Sequence, residues 1–461
     1  MLKKLIGTKE FYKMVLIVTI PIMIQNGITN FVSLLDNIMV GRVGLEEMSG
    51  VAIVNNFVFV YNICVFGAIS GAGIFGTQFF GKGDYDGVRY AFRFKLITCV
   101  LAAIAGMAVF AAFAEPLISL YLHEGSGNDI GDIEKVLEYG RKYMLIMTAG
   151  MLPYALSQIY SSTLRENGQT LVPMVSSLSA VTVNMVFNYL LIFGKFGFPR
   201  LGVYGAAIAT VMSRFVELAV VFIWTHLNTA KNPFIVGVYR SLHIPFALVK
   251  DIIKKGMPLM ANEVLWALGM ATLTQRYSTR GIEVVSALNI SSVLNNVFNV
   301  VYISLGSSVA IIIGQLLGAG KMKEAKEQDT QIIAFSVFTC LAMGLGMIAV
   351  APHFPNIYEA PQAVKALASR LIIITACFMP MGAFMHASYF TLRSGGKTFV
   401  TFLFDSAYVW VVVIPFATIL TKCTQLEILP VYFLCQAVDV IKCVVGFILV
   451  KKGIWINNIV N

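Results

Sequence analysis

Long apolar stretches alternate with short polar ones along the whole chain. Ile97 to Ala114, Ile332 to Val350 and Val431 to Val450 carry few or no charges. Apolar blocks of about 18 residues or more read as bilayer spans. The pattern predicts about twelve of them, at 11–38, 50–80, 92–120, 138–164, 170–194, 203–228, 251–276, 286–317, 330–352, 365–392, 398–421 and 428–450. Three polar stretches stand out. Residues 122–137, with Glu124, Asp129, Asp132 and Glu134, read as an acidic external loop. Residues 229–250 form a long basic link, and 318–329 a shorter one.

The long link divides the spans six and six, and the two halves repeat. Pro21 in IPIM matches Pro258 in MPLM, 237 positions on, and Gln78 to Gly83 (QFFGKG) matches Gln315 to Gly320 (QLLGAG) at the same offset. Thr163 to Thr170 (TLRENGQT) matches Thr391 to Thr398 (TLRSGGKT) at an offset of 228. The longer external loop after the third span accounts for the change. Three matches in order indicate an internal duplication. Each half holds an even number of spans, so both enter the membrane in the same direction, related by an axis along the membrane normal. The predicted fold is all-α integral membrane. It has twelve transmembrane helices in two six-helix lobes, 1–228 and 251–461, with 229–250 as a cytoplasmic linker. Such folds place a substrate cavity between halves that rock for alternating access.

Composition agrees. Hydrophobic residues make up 57% of the 461 positions and charged residues 13%, against about 25% charged in soluble domains. The net charge of +10 would suit nucleic acid or anionic lipid, but its placement decides. About 21 of the 34 Lys and Arg fall in the termini and alternate loops, Lys3, Lys4, Lys82, Arg89, Lys254, Lys323, Lys397 and Lys451 among them, which is the positive-inside pattern. Both termini are expected in the cytoplasm of a multi-pass inner-membrane protein, and no nucleic-acid partner is expected. The apolar stretch after Lys9 has no small-residue cleavage site and reads as an uncleaved first span. The seven cysteines form no CxxC pair and read as small buried hydrophobes.

A charge at the bilayer centre costs about 2.5–3.5 kcal/mol on insertion scales, so charges inside spans are informative. Asp36 ends the first span and is either a cation or proton site or an interfacial acid. Glu263, five residues after Pro258, must be neutral, paired or hydrated, and suits a functional role better than a structural one. Arg214 and Glu217, and Asp439 and Lys442, are spaced i,i+3, so each pair can neutralise itself on one helix face. Asp405 is expected to bridge to Arg393 or Lys397. Asn184 and Asn188 share a face of the fifth span, as sodium ligands or as interhelical hydrogen bonders. Gln158 and His386 occupy matching positions of the repeat, where a proton relay competes with ordinary hydrogen bonding. Met147, Met151, Met379, Met381 and Met385 could line an adaptable pocket or simply pack. GxxxxGK[ST], HExxH and metal-spaced His/Cys clusters are absent, so neither an enzyme nor a bound cofactor is expected.

The segments LLDNIMVGRVG (34–44), QFFGKGD (78–84), STLRENGQT (162–170), VNMVFNYLLIFG (183–194), GAAIATVMSRFVE (205–217) and FTLRSGGKT (390–398) together resemble the multidrug and toxic compound extrusion (MATE) family across essentially the whole chain. The resemblance implies a twelve-helix secondary transporter exporting amphipathic, often cationic, compounds in exchange for sodium ions or protons. It implies that Asp36, Asn184 and Asn188 hold the coupling cation, sodium or proton, with Thr210 beside them; Gln158, from its repeat position, is assigned to the same site. Glu263, His386, Met151 and Asn26 are assigned to substrate. The family's acid in the tenth span has no counterpart in PMGAFMH (380–386), so its second ion site is not reproduced. The expected partners are a small-molecule substrate and the lipid bilayer, with the protein acting as a monomer. The alternative is a lipid-linked saccharide flippase of the wider superfamily. That activity needs a strongly basic cavity, and the spans offer chiefly Arg214 and Lys442.

Overall fold

The structure, a computed structural model, describes residues 5–41, 43–122 and 133–461. Lys3, Lys4, Glu124, Asp129 and Asp132 lie outside them. The helices are α1 (Lys9–Gly41), α2 (Leu45–Lys82), α3 (Tyr85–Ser119), α4 (Ile133–Glu166), α5 (Leu171–Phe193), α6 (Val203–Leu227), α7 (Phe246–Ser278), α8 (Ile282–Gly318), α9 (Met322–Val350) and α10 (Gln362–Ser394). The eleventh rod is composite. It begins as α11 (Thr398–Phe402), passes through two π-helical turns (Leu403–Ala407 and Val409–Val413) and ends as α12 (Ile414–Cys423). The twelfth is α13 (Ile428–Ala437) followed by α14 (Val440–Lys452). Each expected span coincides with a helical rod. Among the described residues, ten rods are long and apolar enough to cross a bilayer by length and composition alone. α4 and α7 are the other two. They carry polar side chains such as Ser157, Gln158, Asn262 and Glu263 within otherwise apolar helices.

The chain divides into two compact units, and the break does not follow the 229–250 link. The first unit is Ile24–Gly76 with Tyr85–Val249. The second takes the chain up to Met23, Thr77–Asp84 and Lys250–Asn461. α1 and α2 therefore each begin in one unit and end in the other.

In the first unit α3, α4, α5 and α6 pack in sequence, α4 against α3 and α6, and α5 against α6. Small residues set the spacing. A Cβ on Gly205 would stand 2.7 Å from the Leu191 carbonyl, so α6 meets the backbone of α5. Residues 229–249 belong to this unit because α3 holds their backbone. Arg93 donates to the carbonyls of Val238 (2.8 Å), Gly237 (3.1 Å) and His243 (3.1 Å), and Arg89 to that of Phe234 (3.2 Å).

In the second unit α10 packs against α8 and α9. One apolar cluster joins Leu371, Ala417 and Val431; another joins Ile313, Leu317, Leu392 and Trp455. Phe11 and Val15 of α1 are buried in the latter, and Thr19 shares a 2.6 Å hydrogen bond with Ser308. That burial is why the start of α1 joins this unit. The end of α2 joins it through the repeated glycines. A Cβ on Gly81 would overlap the Gln315 carbonyl, and one on Gly318 would overlap the Gln78 carbonyl. The two copies of QxxG thus cross each other at equivalent positions. Gln78 also donates to the carbonyls of Ser394 (2.9 Å) and Asn457 (3.2 Å) and accepts from the Ile459 amide (2.8 Å). Gly81→Ala is expected to cost about 1–3 kcal/mol, the usual penalty for overpacking, because the obstacle is backbone and cannot rotate away. Thermal unfolding in detergent checks this, and an unchanged midpoint would contradict the crossing.

All seven cysteines are free, but only Cys99, Cys340 and Cys435 are buried; Cys64, Cys377 and Cys423 are exposed. The buried-hydrophobe reading therefore fails for three of them. Their rods present an apolar outer face, where a small thiol is tolerated as well as in the core.

Candidate functional site

α5 places Asn184 and Asn188 one turn apart on one face, and the close α5–α6 approach at Gly205 brings Thr210 to them. The last part of α1 adds Asp36. Asn188 Nδ2 donates to Asp36 Oδ1 at 2.6 Å. Neighbours set the amide orientation of Asn184. The orientation that satisfies both its atoms donates nitrogen to Asp36 Oδ1 (3.0 Å) and Oδ2 (3.2 Å), and its oxygen accepts from Thr210 Oγ1 (3.3 Å). Four of the five residues expected at the cation site thus meet within the first unit.

The fifth does not. Gln158 Nε2 donates to Glu217 Oε1 at 3.4 Å, so it serves the neighbouring charged group instead. Arg214 pairs with Glu217 at 3.0 Å, the expected i,i+3 bridge, and lies over the Tyr154 ring at 5.0 Å. Gln158 is drawn there because Glu217 is buried and its oxygens need donors. Arg214 also acts on Asp36 at electrostatic range.

The donor set suits a hard cation or a proton. Asp36 supplies a carboxylate, and Asn184 and Thr210 supply neutral oxygens. Asn188 Oδ1 is buried without a hydrogen-bond partner, and an orphan acceptor beside a carboxylate is a natural ligand for a monovalent cation. A cavity of the same unit lies next to this cluster. Tyr61, Asn62, Met151, Tyr154, Thr210 and Arg214 line it, and Tyr61 Oη donates to the Met151 carbonyl at 2.8 Å. Met151, itself buried, lines this cavity, while Thr210 touches both cavity and ion cluster.

In the second unit, Glu263 makes no hydrogen bond or ion pair among the described residues, and the charges acting on it are Arg393 and Asp405. Its neighbour Asn262 is fully engaged. Nδ2 donates to Asp405 Oδ2 at 3.0 Å, and Oδ1 accepts from the Ser406 amide (3.2 Å) and hydroxyl (2.7 Å). The π turn at Leu403–Ala407 frees that amide from the helical ladder, and Asn262 caps it. Asp405 pairs with Lys442 at 2.7 Å. This corrects two expectations: Asp405 does not bridge to Arg393 or Lys397, and Lys442 does not pair with Asp439. The rod breaks between Ala437 and Val440, leaving Asp439 at the start of α14. The π turns re-aim Asp405 at the lysine. His386 lies 4.7 Å from the Tyr302 ring, within electrostatic range of Asp405 and Lys442. Asn26 is half-buried on α1 in the first unit. The residues assigned to substrate therefore fall in both units: Met151 and Asn26 in one, Glu263 and His386 in the other.

Two buried charged sites escaped the sequence reading. Lys95 Nζ contacts both oxygens of Glu166 (2.6 and 2.7 Å), Thr163 Oγ1 (3.1 Å) and Ser162 Oγ (3.3 Å). Gly73 and Gly76 leave room for that carboxylate, since a Cβ on either would lie within 2.8 Å of it. Asp329 on α9 is completely buried. The signal available was their place near the ends of apolar blocks, where they read as interfacial.

Two helical units, an acid–amide cluster inside one of them and long apolar rods define a multi-pass membrane transporter. The comparisons with known proteins agree. The MatE family profile matches residues 21–190 and 258–419, and the chain belongs to that family. It is 24% identical over 424 residues to the probable multidrug resistance protein NorM of Halalkalibacterium halodurans, covering 91% of this chain and 89% of that one. A probable multidrug resistance protein NorM of Thermotoga maritima is 21% identical over 450 residues, covering 97% and 93%. Among solved structures, a MATE in complex with MaL6 superposes with a TM-score of 0.85 at 18% identity, over 98% of this chain and 97% of that one.

Proposed function

We propose that the protein is a cation-coupled antiporter of the cell membrane. It exports amphipathic, cationic organic compounds by alternating access, with both termini in the cytoplasm. The observation that carries this reading is the Asp36–Asn184–Asn188–Thr210 cluster, a carboxylate among neutral oxygens that can take sodium or a proton. Beside the cluster lies a small cavity lined by Met151 and the Tyr61 and Tyr154 rings, an apolar and aromatic surface next to the ion site. The relatives' names, probable multidrug resistance proteins, support export of such compounds.

Ion and substrate act by competition, each stabilising an opposite-facing state through its differential affinity. Moving a two-state equilibrium from 1:99 to 99:1 takes about 5.5 kcal/mol. One inward cation supplies about 2.3 kcal/mol per 100 mV, so the ion's binding preference must contribute alongside the membrane potential. The test is ethidium efflux from proteoliposomes under separately imposed sodium and pH gradients. Efflux driven by either gradient is expected. Efflux indifferent to both, or transport of a lipid-linked saccharide instead, would overturn the reading.

A further inference from the structure

The TLR motif occurs once in each half, and its threonine meets opposite chemistry in the two units. In the first unit Thr163 accepts a hydrogen bond from Lys95, which is fully paired with Glu166. At the corresponding positions of the second unit stand Ile332, 237 on from Lys95, and Ser394, 228 on from Glu166. Neither can carry charge. Asp329 occupies that level instead, one turn earlier on α9. It is 0% exposed.

Among the described residues no cation compensates a negative charge there, and its one hydrogen-bond donor is the Thr391 hydroxyl. Oδ2 has no hydrogen-bond partner and Asp329 takes part in no ion pair among the described residues. On α9 itself Lys323, Lys326 and Glu327 are exposed, and Glu324 is bound to Gln328 and Lys321. On α10 the nearest cation, Arg393, lies over the Phe390 ring at 5.5 Å and acts on Glu263 and Tyr389, while His386 packs on Tyr302. α8 brings no charged residue between Val300 and Gly318. Lys9, Glu10 and Lys13 of α1 are exposed. An ionised carboxylate left buried and unpaired is strongly destabilising.

Hydrogen counting points the same way. The Thr391 hydroxyl has one hydrogen but lies within bonding distance of two acceptors, Ala387 O at 3.0 Å and Asp329 Oδ1 at 2.5 Å. One proton on the carboxyl, the second hydrogen of the pair, lets Thr391 bond Ala387 while the acid bonds Thr391. Ser388, three residues earlier on the same face of α10, is also completely buried with an unpartnered hydroxyl.

We propose that Asp329, with Thr391, is a proton-binding site of the second unit, separate from the Asp36 cluster, loaded in the state seen here and emptied when water reaches α9. The step is a single ionisation: the carboxylic O–H breaks, the proton passes to water, and the carboxylate remains with Thr391 as its donor. A permanently neutral position would be served equally well by an amide. An acid adds only the capacity to release the proton.

The proposal rests on the antiport reading for its transport arm alone, so it is tested two ways. Infrared titration of the full-length protein in lipid vesicles, with aspartate carboxyls isotopically labelled, should show the carbonyl stretch of a buried carboxylic acid. The band should lose the Asp329 component in Asp329→Asn and shift in Thr391→Val, which keeps the acid and therefore serves if the asparagine variant fails to fold. An aspartate spectrum identical in wild type and both variants overturns the proposal. In proteoliposomes, Asp329→Asn should still bind ethidium but lose efflux driven by a pH gradient. Wild-type efflux from that variant, with an unchanged pH profile, overturns the carrier role. If wild-type protein moves no ethidium under any gradient, the antiport reading fails while the spectrum still decides whether Asp329 carries a proton.

Discussion

Asp36→Asn is expected to abolish ion-coupled efflux while leaving the protein inserted and folded. The argument is geometric. Asn188 and Asn184 both aim amide nitrogens at the Asp36 oxygens. An asparagine there keeps the shape, and one of its atoms can still accept from them. It cannot become negative, so it neither attracts a cation nor takes up a proton. The ion bound at this cluster then has no preference between the two facing states, and a ligand without differential affinity shifts nothing. Binding of ethidium should survive, because the cavity is lined by other side chains. The measurement is gradient-driven ethidium efflux at matched protein density, with detergent melting as the folding control. Wild-type efflux from the variant would sink the assignment of the ion site.

Lys95→Ala should have the largest effect on stability, about 3–5 kcal/mol, the usual cost of stranding one member of a buried pair. The Lys95 side chain is 0% exposed and that of Glu166 11%, so water can do little to compensate. Removing the lysine takes away the cation that contacts both oxygens of a carboxylate held against Gly73 and Gly76. Replacing both partners, as Lys95→Met with Glu166→Leu, should recover much of the loss, since a packed apolar pair is often as stable as an ionic one. Thermal unfolding of the two variants decides the matter. A single variant that melts like the wild type, or a double variant worse than the single, contradicts the account.

The helix count and the duplication were legible because a bilayer leaves a backbone few options. Every span must be long, apolar and internally hydrogen-bonded. The acid–amide cluster was legible because Asn184 and Asn188 declare a shared face by spacing, and Asp36 carries a charge where charges are costly. Pairings between distant helices were not. Asp405 and Lys442 are separated by 37 residues and Lys95 and Glu166 by 71, and no periodicity links such positions. The π turns that aim Asp405 at its lysine leave no mark in LFDSAYVWVVV. Gln158 misled through its repeat position, since matching places in a duplication need not keep matching partners once Glu217 has arisen beside one of them.

The interleaving of α1 and α2 bears on how the gene can be divided. Severing the chain at the 229–250 link looks natural from the sequence, yet neither fragment would encode a complete unit. The downstream fragment would lack Phe11, Val15 and the Gln78–Gly81 segment that its own core is built around. The upstream fragment would carry those residues with nothing to bury them. The units are modules of packing rather than of heredity, so complementation between half-genes would require both products to be made together and to assemble as they fold.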